Sequence, residues 1–462
     1  MSNATLSAHR RQFLGGAALA LAAAAAAPGQ ALSQTASATA ATTSGAEPPR
    51  DWIDAKTGHR IVRLSNDPGT QNLYFHQNGY TPQGDKLVLK SAGGLWLCDL
   101  KTFKLTLLVK GPDADLLFTT RHSRDVLYSV TAPKMADGSE GLAADRPKTI
   151  YAIDVDTKKT RKIAQIAAGA INSINFDGTL LAGSVAYGAK PLQPKTEDDR
   201  KRFGQAEYAA LGPDGKPLSF AKAKGVRMTE RFETDVPAEI FTIDLKTGAR
   251  TVIHKSMRWL GHIQFSPTDP TLVMFCHEGP WHRVDRIWTV RTDGAGLTKI
   301  HTRTMNFEIA GHEFFSADGK WIWYDLQTPR GQVFWIAGHE IATGRKLYHR
   351  VEQNEWSVHY NVAPDGKLFA GDGGDEDMVA HAKDGKWLYA FRPEQIRDAA
   401  TQYYAEGLIT VNKMASEKLV DMSAHDYRLE PNLTFTPDQK WIVFTSNMHG
   451  ANHVYAVEVA KA

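Results

Sequence analysis

The chain has 462 residues, of which 42 % are hydrophobic and 23 % are charged, as is usual for a soluble globular protein. The formal net charge is only +3, and the Lys and Arg residues are scattered without interleaved aromatic runs, which argues against nucleic acid as a partner. No apolar run of membrane length follows the N-terminal segment, so we expect no stable membrane association of the mature protein.

The N-terminus has the pattern of an export signal. Arg10 and Arg11 form a twin-arginine pair, and an Ala-rich apolar stretch from Gly15 to Ala27 follows them. This stretch is too short for a membrane-spanning helix. We therefore predict a twin-arginine signal peptide over residues 1–33, read by the twin-arginine translocase during export to the periplasm, and a disordered linker over residues 34–50. The alternative is a chance Arg pair ahead of a general secretory signal.

A turn of the form Pro/Ala-Asp-Gly-Lys recurs along the chain, each time before an alternating apolar strand. Its clear and degenerate copies are Thr81–Gly84, Ser123–Asp125, Phe176–Gly178, Ser266–Asp269, Ser316–Lys320, Ala363–Lys367 and Thr436–Lys440. Four strands in about 40–50 residues per unit are typical of a propeller blade. The repeat predicts an all-β, seven-bladed β-propeller over residues 51–462, closed by strand Ile61–Leu64 pairing with the last blade. A β-sandwich, the alternative, would not repeat this turn at one strand position.

Two stretches interrupt the repeat and are predicted to be insertions, near residues 188–238 and near residues 393–430. The second begins with a helix-like run from Pro393 to Tyr404. Insertions in a repeat fold often lie on the binding face, although each stretch is equally well explained as a solvated decoration.

Motifs of several other enzyme classes are absent from the sequence. There is no Gly-x-Ser-x-Gly nucleophile elbow and no appended α/β domain, which disfavours a propeller peptidase. No phosphate loop or dinucleotide fingerprint stands between a strand and a helix. The two cysteines, Cys98 and Cys276, lie in different repeats, so we expect free thiols and a fold held together by burial alone.

One position of the repeat carries polar side chains in five of the seven predicted blades. Five residues before the Pro or Ala of the turn stand Gln77, His262, His312, His359 and Asn432. Because side chains alternate along a strand, an equal offset means an equal facing, and these residues should converge at one mouth of the central channel. Three histidines at one position favour a functional site, and the alternative is the polar lining of a wet channel. Five other histidines are expected at the surface, namely His122, His301, His339, His349 and His453.

The last blade supplies a compact group of candidate metal ligands. Glu430 and Asn432 are two residues apart and share a face if the segment is extended, and His425 precedes them. Mixed imidazole, carboxylate and amide ligands favour Mn or Ca. An acidic loop at Asp372, Asp375, Glu376 and Asp377 offers another Ca site, but it lacks the EF-hand spacing, and a plain turn is the simpler interpretation.

Four short motifs resemble those of the oligogalacturonate lyases, polysaccharide lyase family 22. They are Tyr74–Gln77, Phe275–Trp281, Gly311–Phe314 and Val358–Asn361, and the likeness extends from about Asp51 to the C-terminus. The resemblance implies a seven-bladed propeller that breaks short pectic oligomers by β-elimination, with a histidine base, a nearby arginine and a Mn-type ion.

The resemblance also implies roles for individual residues. The family's base falls on His312, its arginine on Arg286 and one metal-binding histidine on His359. Its other ligands are a Gln and a His-x-His in the last blade, where this chain has Glu430 and Asn432 instead, so these two residues, with His425, are the predicted replacements. The residues predicted to bind the acidic oligosaccharide are His76, Gln77, His262, His277 and Tyr360.

The expected function is therefore that of an exported lyase that converts uronic-acid oligosaccharides into 4,5-unsaturated products. The replaced histidines of the last blade leave open a different sugar, for example a glucuronate-capped or rhamnose-linked oligosaccharide. A third interpretation, from another class, is a non-catalytic periplasmic propeller that binds a protein or an envelope component. In that case the polar ring would be only the lining of the channel.

Overall fold

The structure, a computed structural model, describes residues 47–135, 138, 144–188, 210–375, 378, 382–396 and 407–462. These residues form 28 β-strands, one α-helix and one short 3-10 helix, Gln353–Glu355. The predicted signal peptide and all but the last four residues of the predicted linker lie outside them. No helix within the described ranges is long and apolar enough to cross a membrane.

The strands form six sheets, one of which has eight strands. We divide that sheet at its one parallel pair and call the resulting antiparallel groups blades 1 to 7. Blade 1 contains β3 (Lys86–Ser91), β4 (Gly94–Asp99) and β5 (Leu105–Lys110). Blade 2 contains β6 (Asp115–Thr119), β7 (Asp125–Thr131), β8 (Lys148–Asp154) and β9 (Thr160–Ile166). Blade 3 contains β10 (Ala170–Ile174), β11 (Leu180–Ala186), β12 (Ala238–Asp244) and β13 (Arg250–Ser256). Blade 4 contains β14 (Leu260–Phe265), β15 (Leu272–His277), β16 (Ile287–Arg291) and β17 (Thr298–Lys299).

The remaining strands complete the ring. Blade 5 contains β18 (Ile309–Phe315), β19 (Trp321–Gln327), β20 (Phe334–Glu340) and β21 (Lys346–Val351). Blade 6 contains β22 (Tyr360–Val362), β23 (Phe369–Gly371), β24 (Trp387–Gln395) and β25 (Ile409–Asp421), and its β25 pairs in parallel with β21 of blade 5. Blade 7 joins β26 (Thr434–Phe435), β27 (Trp441–His449) and β28 (Ala451–Lys461) to the N-terminal strands β1 (Asp51–Ile53) and β2 (His59–Arg63).

The N-terminal strands close the ring as the sequence predicted. Strand β2 pairs antiparallel with β28, where Ile61 lies opposite Val457, so the first and last parts of the chain share one sheet. The inner strands of neighbouring blades contact one another, as β6 does with β10 and β22 does with β26. A cavity between these inner strands is lined by residues of blades 2 to 5 and by residues 76–78, which precede blade 1, and the first strands of blades 2 to 5 therefore present side chains to a shared centre.

The recurrent turn and the apolar clusters between blades explain the regularity of the fold. In blade 5, Asp318 accepts hydrogen bonds from the Ser316 hydroxyl at 2.6 Å and from the Lys320 amide at 3.1 Å. Gly319 has a φ of +67°, and a Cβ there would lie 2.1 Å from the Thr268 hydroxyl of the neighbouring blade, so only glycine fits.

Both cysteines are buried and free, as predicted.

The two predicted insertions differ in structure. The described part of the first contains helix α1 (Phe220–Glu233), which lies between β11 and β12. The helix-like prediction for the second was wrong where the structure describes it, because Pro393–Gln395 belong to β24 and pair with Asn412–Met414 of β25. Cross-strand pairing decides the conformation there. Residues 397–406 lie outside the described part of the chain.

Candidate functional site

The inner strands of blades 4 and 5 are distorted at the two ring histidines. His262 has a φ of 51° and His312 has a φ of 48°, and the pairing register of each strand shifts at that point. Asn432, at the equivalent position of blade 7, has a φ of 53°. A left-handed residue of this kind costs about 1–3 kcal/mol and is retained mainly at functional sites, where a bulge re-aims a side chain.

His312 forms a buried pair with an aspartate on the adjacent strand. Its Nδ1 lies 2.8 Å from Oδ1 of Asp325 on β19, while its Nε2 is buried and has no hydrogen-bond partner in the described part of the chain. Burial lowers the pKa of His312 well below its ordinary value and raises the pKa of Asp325 to about 7. A neutral imidazole that donates its Nδ1 proton to the carboxylate has a lone pair on Nε2, which is the state required of a general base.

His359 has a second pair of the same kind. Its Nδ1 lies 2.8 Å from Oδ2 of Asp372, and its backbone amide donates to the other oxygen at 2.7 Å. Burial raises the pKa of Asp372. The rings of His312 and His359 are 4.7 Å apart and nearly perpendicular. The structure therefore brings together the two histidines predicted as base and as metal ligand, and each is oriented by a buried carboxyl group.

Arg286 lies at the centre of an acidic cluster. Its guanidinium donates to both oxygens of Glu278, at 2.7 and 3.2 Å, and to Glu313 at 3.1 Å, and it stacks 4.8 Å from the Trp281 ring. Burial would raise the pKa of each carboxyl, but the charge of Arg286 and the neighbouring His262 together hold the pKa values of Glu278 and Glu313 below the ordinary value. The predicted catalytic arginine is thus already bound bidentately to the protein's own carboxylate.

His262 and Cys276 border the same carboxylates. The two ring nitrogens of His262 lie 3.2 Å from Glu278 and 3.5 Å from Glu313, and the Cys276 thiol lies 3.2 Å from Glu278. Ligand atoms of His262, Cys276 and Glu278 are within 4.8 Å of one another, a spacing that a metal ion could bridge. Because the guanidinium of Arg286 already occupies this carboxylate, an added cation would face a like charge there.

Helix α1 contributes a buried lysine to the last-blade group. The ammonium of Lys224 lies 3.4 Å from Oε1 of Glu430, and the other oxygen of Glu430 lies 3.7 Å from the unpartnered Nε2 of His359. Burial alone would raise the pKa of Glu430, but the charges of Lys224, His359 and His312 and the hydrogen bond from Lys224 together lower it to about 2. Lys224, Glu430, His359 and His312 therefore form a continuous row of contacts.

The predicted metal ligands reproduce the family's donor set only in part. His359 and Glu430 face each other, and Asn432 has a buried, unpartnered Oδ1 while its amide donates to the Glu430 carbonyl. His425 is placed elsewhere, because its two nitrogens are hydrogen-bonded to the Ser446 hydroxyl and to the Leu429 carbonyl. One imidazole and one carboxylate that already binds an ammonium do not match the family's ligands. A divalent ion stays a prediction for this chain.

The predicted substrate-binding residues do not all reach this cluster. His76 does, with its ring 5.6 Å from His262, and Gln77 lines the adjoining cavity between the inner strands. Tyr360 lies in the core, where its hydroxyl accepts from the Ser357 amide. His277 packs against His254 and Trp288 instead. Both follow a cluster residue directly in the chain, so the alternation of the strand turns them to the opposite side.

The sequence analysis did not assign several residues of the cluster to the site. Glu278 and Glu313 stood in the quoted motifs without a role, and Asp372 was assigned to an acidic loop rather than to His359. A single Asp within an otherwise apolar strand was an available signal for Asp325. No sequence signal marked Lys224. Three histidines expected at the surface are buried instead, because each finds a partner or packs on a ring, namely His301, His349 and His453.

Comparison with known proteins supports one family. A profile described as oligogalacturonate lyase matches residues 214–462, a little over half of the chain. The oligogalacturonate lyase of Dickeya dadantii (strain 3937) is 26 % identical over 437 residues, which cover 88 % of this chain and 95 % of the relative. The oligogalacturonide lyase of Pectobacterium atrosepticum is 25 % identical over 431 residues, with coverage of 88 % and 95 %.

Solved structures show the same fold. An oligogalacturonate lyase in complex with manganese superposes with a TM-score of 0.66 at 23 % identity, covering 89 % of this chain and 96 % of the other. The oligogalacturonate lyase from Vibrio parahaemolyticus gives a TM-score of 0.65 at the same identity and coverage. The predicted all-β propeller fold is confirmed.

Proposed function

As the chain belongs to the oligogalacturonate lyase family, we propose that it cleaves uronic-acid oligosaccharides of the oligogalacturonate type by β-elimination. The observation that carries the proposal is the state of His312. Its Nδ1 is held by Asp325, and its buried Nε2 has no hydrogen-bond partner among the residues that the structure describes, as expected of a base that waits for a substrate proton.

The chemistry requires one base and one positive charge. The proton on C5 of a uronate is weakly acidic until the charge of the C6 carboxylate is neutralised. His312 then takes the C5 proton through Nε2, the electrons of the C–H bond form the double bond between C4 and C5, and the bond from C4 to the leaving oxygen breaks. The proton leaves His312 for the departing oxygen or for water. No covalent intermediate and no added water are needed for the cleavage itself.

The positive charge has several candidate sources. The resemblance predicts a Mn-type ion near His359, Glu430 and Asn432, and Ca would also suit the oxygen donors. When bound, such an ion would polarise the substrate carboxylate. Because these donors match the family's set only in part, no step of the mechanism is derived through an ion. Among the described residues, Arg286 pairs with Glu278 and Lys224 pairs with Glu430, so these two side chains are the candidate cations of the chain itself.

A substrate panel tests the proposal. Purified protein would be incubated with saturated and unsaturated galacturonate oligomers, glucuronate-capped and rhamnose-linked oligosaccharides, and neutral pectic oligomers. The account predicts a rise in the ultraviolet absorbance of unsaturated uronates with at least one acidic oligomer and none with the neutral ones. Binding of acidic oligomers without any absorbance change would instead support the non-catalytic binding module.

A different uronate-containing glycan is the second candidate substrate. The observation that favours it is the Lys224–Glu430 pair, which stands where the resemblance predicts last-blade histidines. A change of charge and shape beside the substrate carboxylate would alter which sugar is accepted. The ratio of kcat/KM for galacturonate and for the other uronates in the panel decides between the two candidates.

We also propose that the protein is exported to the periplasm by the twin-arginine route, on the basis of Arg10 and Arg11. The conservative double variant Arg10→Lys with Arg11→Lys should accumulate in the cytoplasm with its signal uncleaved. A periplasmic fraction unchanged by this variant would favour a general secretory signal instead.

A further inference from the structure

The side chain of Lys224 is buried to an extent unusual for lysine. It extends from helix α1, and only 2 % of its side chain is exposed. Lysine is almost never fully buried unless it is paired, and here one partner is Glu430, at 3.4 Å. The aromatic ring of Phe220 lies 5.8 Å from the ammonium. The molecule thus keeps a positive charge inside the region that the last blade and helix α1 enclose.

The helix that carries Lys224 is fixed on the channel mouth. Ala221 packs into the large cluster of blades 5 to 7, and Met228 packs with Trp259, Trp281 and Ile309. Arg231 stacks 3.6 Å from the Trp259 ring. Since Trp281 also contacts both Arg286 and His312, the helix and the histidine cluster share one packing unit, which fixes the position of the ammonium relative to His312.

The carboxylate of Glu430 has a different neighbour on each of its oxygens. Oε1 faces Lys224, and Oε2 faces Nε2 of His359. The resemblance places the Mn-type ion at His359. The carboxylate of Glu430 would therefore lie between the predicted ion and the ammonium of Lys224. A divalent ion at His359 and Glu430 and the ammonium of Lys224 would repel each other across a distance of a few ångströms, in surroundings that screen charge weakly.

The charges of the cluster make this ammonium important for an acidic substrate. The carboxylates of Glu278 and Glu313 are paired with Arg286, and the carboxylate of Glu430 is paired with Lys224. A uronate adds a further negative charge. Without the ammonium of Lys224, the substrate carboxylate and the carboxylate of Glu430 would repel each other in surroundings that screen charge weakly.

We propose that Lys224 is the cation that neutralises the C6 carboxylate of the substrate, in the place for which the family resemblance predicts a divalent ion. The proposal rests on the proposed function, because it assigns the electrophile of that elimination. On approach of the substrate, the ammonium is shared between Glu430 and the uronate carboxylate, which lowers the barrier to removal of the C5 proton by His312. The enzyme then works without added metal.

The test uses the full-length protein and three variants. Lys224→Met removes the charge while keeping a flexible apolar chain that suits a buried site, Lys224→Arg keeps the charge, and Lys222→Met changes an exposed lysine of the same helix. Each protein is treated with chelator, checked for metals by elemental analysis, and assayed by the absorbance of unsaturated product. Mn binding is measured separately by calorimetry, so that one readout does not depend on activity.

The proposal predicts that chelated wild type and Lys222→Met keep full kcat/KM. Lys224→Met should lose about 10²–10³-fold, the usual effect of removing one group that stabilises developing negative charge, and Lys224→Arg should retain part of the activity. Mn should bind Lys224→Met at least about tenfold more tightly than wild type, because the repelling charge is gone, and should restore part of its activity.

Two results would overturn the proposal, and they differ from failure of the proposed function. Loss of wild-type activity on chelation, restored by Mn, would assign the electrophile to an ion and leave the lyase function standing. Equal Mn affinity of wild type and Lys224→Met would show that the ammonium does not occupy the cation position, whether or not a substrate has been found. Absence of product with every uronate would count against the proposed function itself.

Discussion

Nδ1 of His312 lies 2.8 Å from Oδ1 of Asp325, and the pair is formed across a β-bulge in the innermost strand of blade 5. The bulge puts His312 in a left-handed conformation, and Gly311 before it lets the Trp281 ring pack closely, since a Cβ there would lie 2.4 Å from that ring. Backbone, neighbouring ring and carboxyl group together fix the imidazole, so its orientation is set before any substrate arrives.

The first prediction concerns the base itself. His312→Asn should lower turnover of the best uronate substrate by about 10²–10⁴-fold, the usual effect of removing a general base, with little change in the far-ultraviolet circular dichroism. The exposed residue His122 provides a control, since His122→Asn should leave turnover unchanged. Turnover of His312→Asn close to that of wild type would remove His312 from the mechanism.

The second prediction concerns the residue that orients the base. Asp325→Asn keeps the size of the side chain but can donate to Nδ1 of His312, which favours the tautomer with the proton on Nε2. A base in the wrong tautomer loses activity by about 10⁴-fold in the serine-protease triad, and we expect a loss of similar order in kcat with a smaller change in KM. If kcat/KM fell by the same factor because KM rose while kcat stayed unchanged, Asp325 would have a role in substrate binding instead.

The third prediction is the pH dependence. Burial lowers the pKa of His312 and raises the pKa of Asp325 to about 7. Below about pH 7 Asp325 is protonated and donates to Nδ1, and above it the carboxylate accepts from Nδ1 and leaves Nε2 free. The kcat/KM of the wild type should therefore rise as the pH increases through about 7. The same rise in Asp325→Asn would show that another group controls the profile.

The fourth prediction concerns stability. Arg286→Met leaves the buried carboxylates of Glu278 and Glu313 without their arginine and should lower the free energy of unfolding by about 3–5 kcal/mol. Arg286→Lys keeps the charge but loses the bidentate contact. Its free energy of unfolding should therefore lie between those of the wild type and Arg286→Met. Arg345→Met, which breaks a pair of which the arginine is 56 % exposed, should cost no more than about 1 kcal/mol. Urea denaturation followed by fluorescence measures all three.

The sequence predicted the propeller, its closing strand and the places of His262 and His312 on inner strands, because a repeat carries its own register. His359 and Asn432 lie just before the inner strands of their blades rather than on them. The sequence did not predict the bulges. A left-handed His262 or His312 looks like any other strand residue until the pairing register is known, and the glycine before each is only a weak sign of the close packing there.

The partners of the histidines were harder to predict because they come from other strands. Asp325 lies on the second strand of blade 5, Asp372 directly follows the second strand of blade 6, and Lys224 comes from a helix between two strands of blade 3. Such contacts depend on how far a loop reaches across the channel, which periodicity does not encode. The error at His277 and Tyr360 has a simpler cause. Both were assigned to the site because they stand in a motif beside a site residue, but neighbouring residues of a strand point to opposite faces.

The central claim is that His312 removes the C5 proton in an elimination, and mass spectrometry of the products tests it most directly. The best acidic substrate, deuterated at C5, would be cleaved in heavy-oxygen water. The account predicts a slower reaction for the deuterated substrate, a new non-reducing end lighter by one water than a hydrolysis product, and no heavy oxygen incorporated at the cleaved bond. Saturated products that carry heavy oxygen, with no isotope effect, would contradict the account.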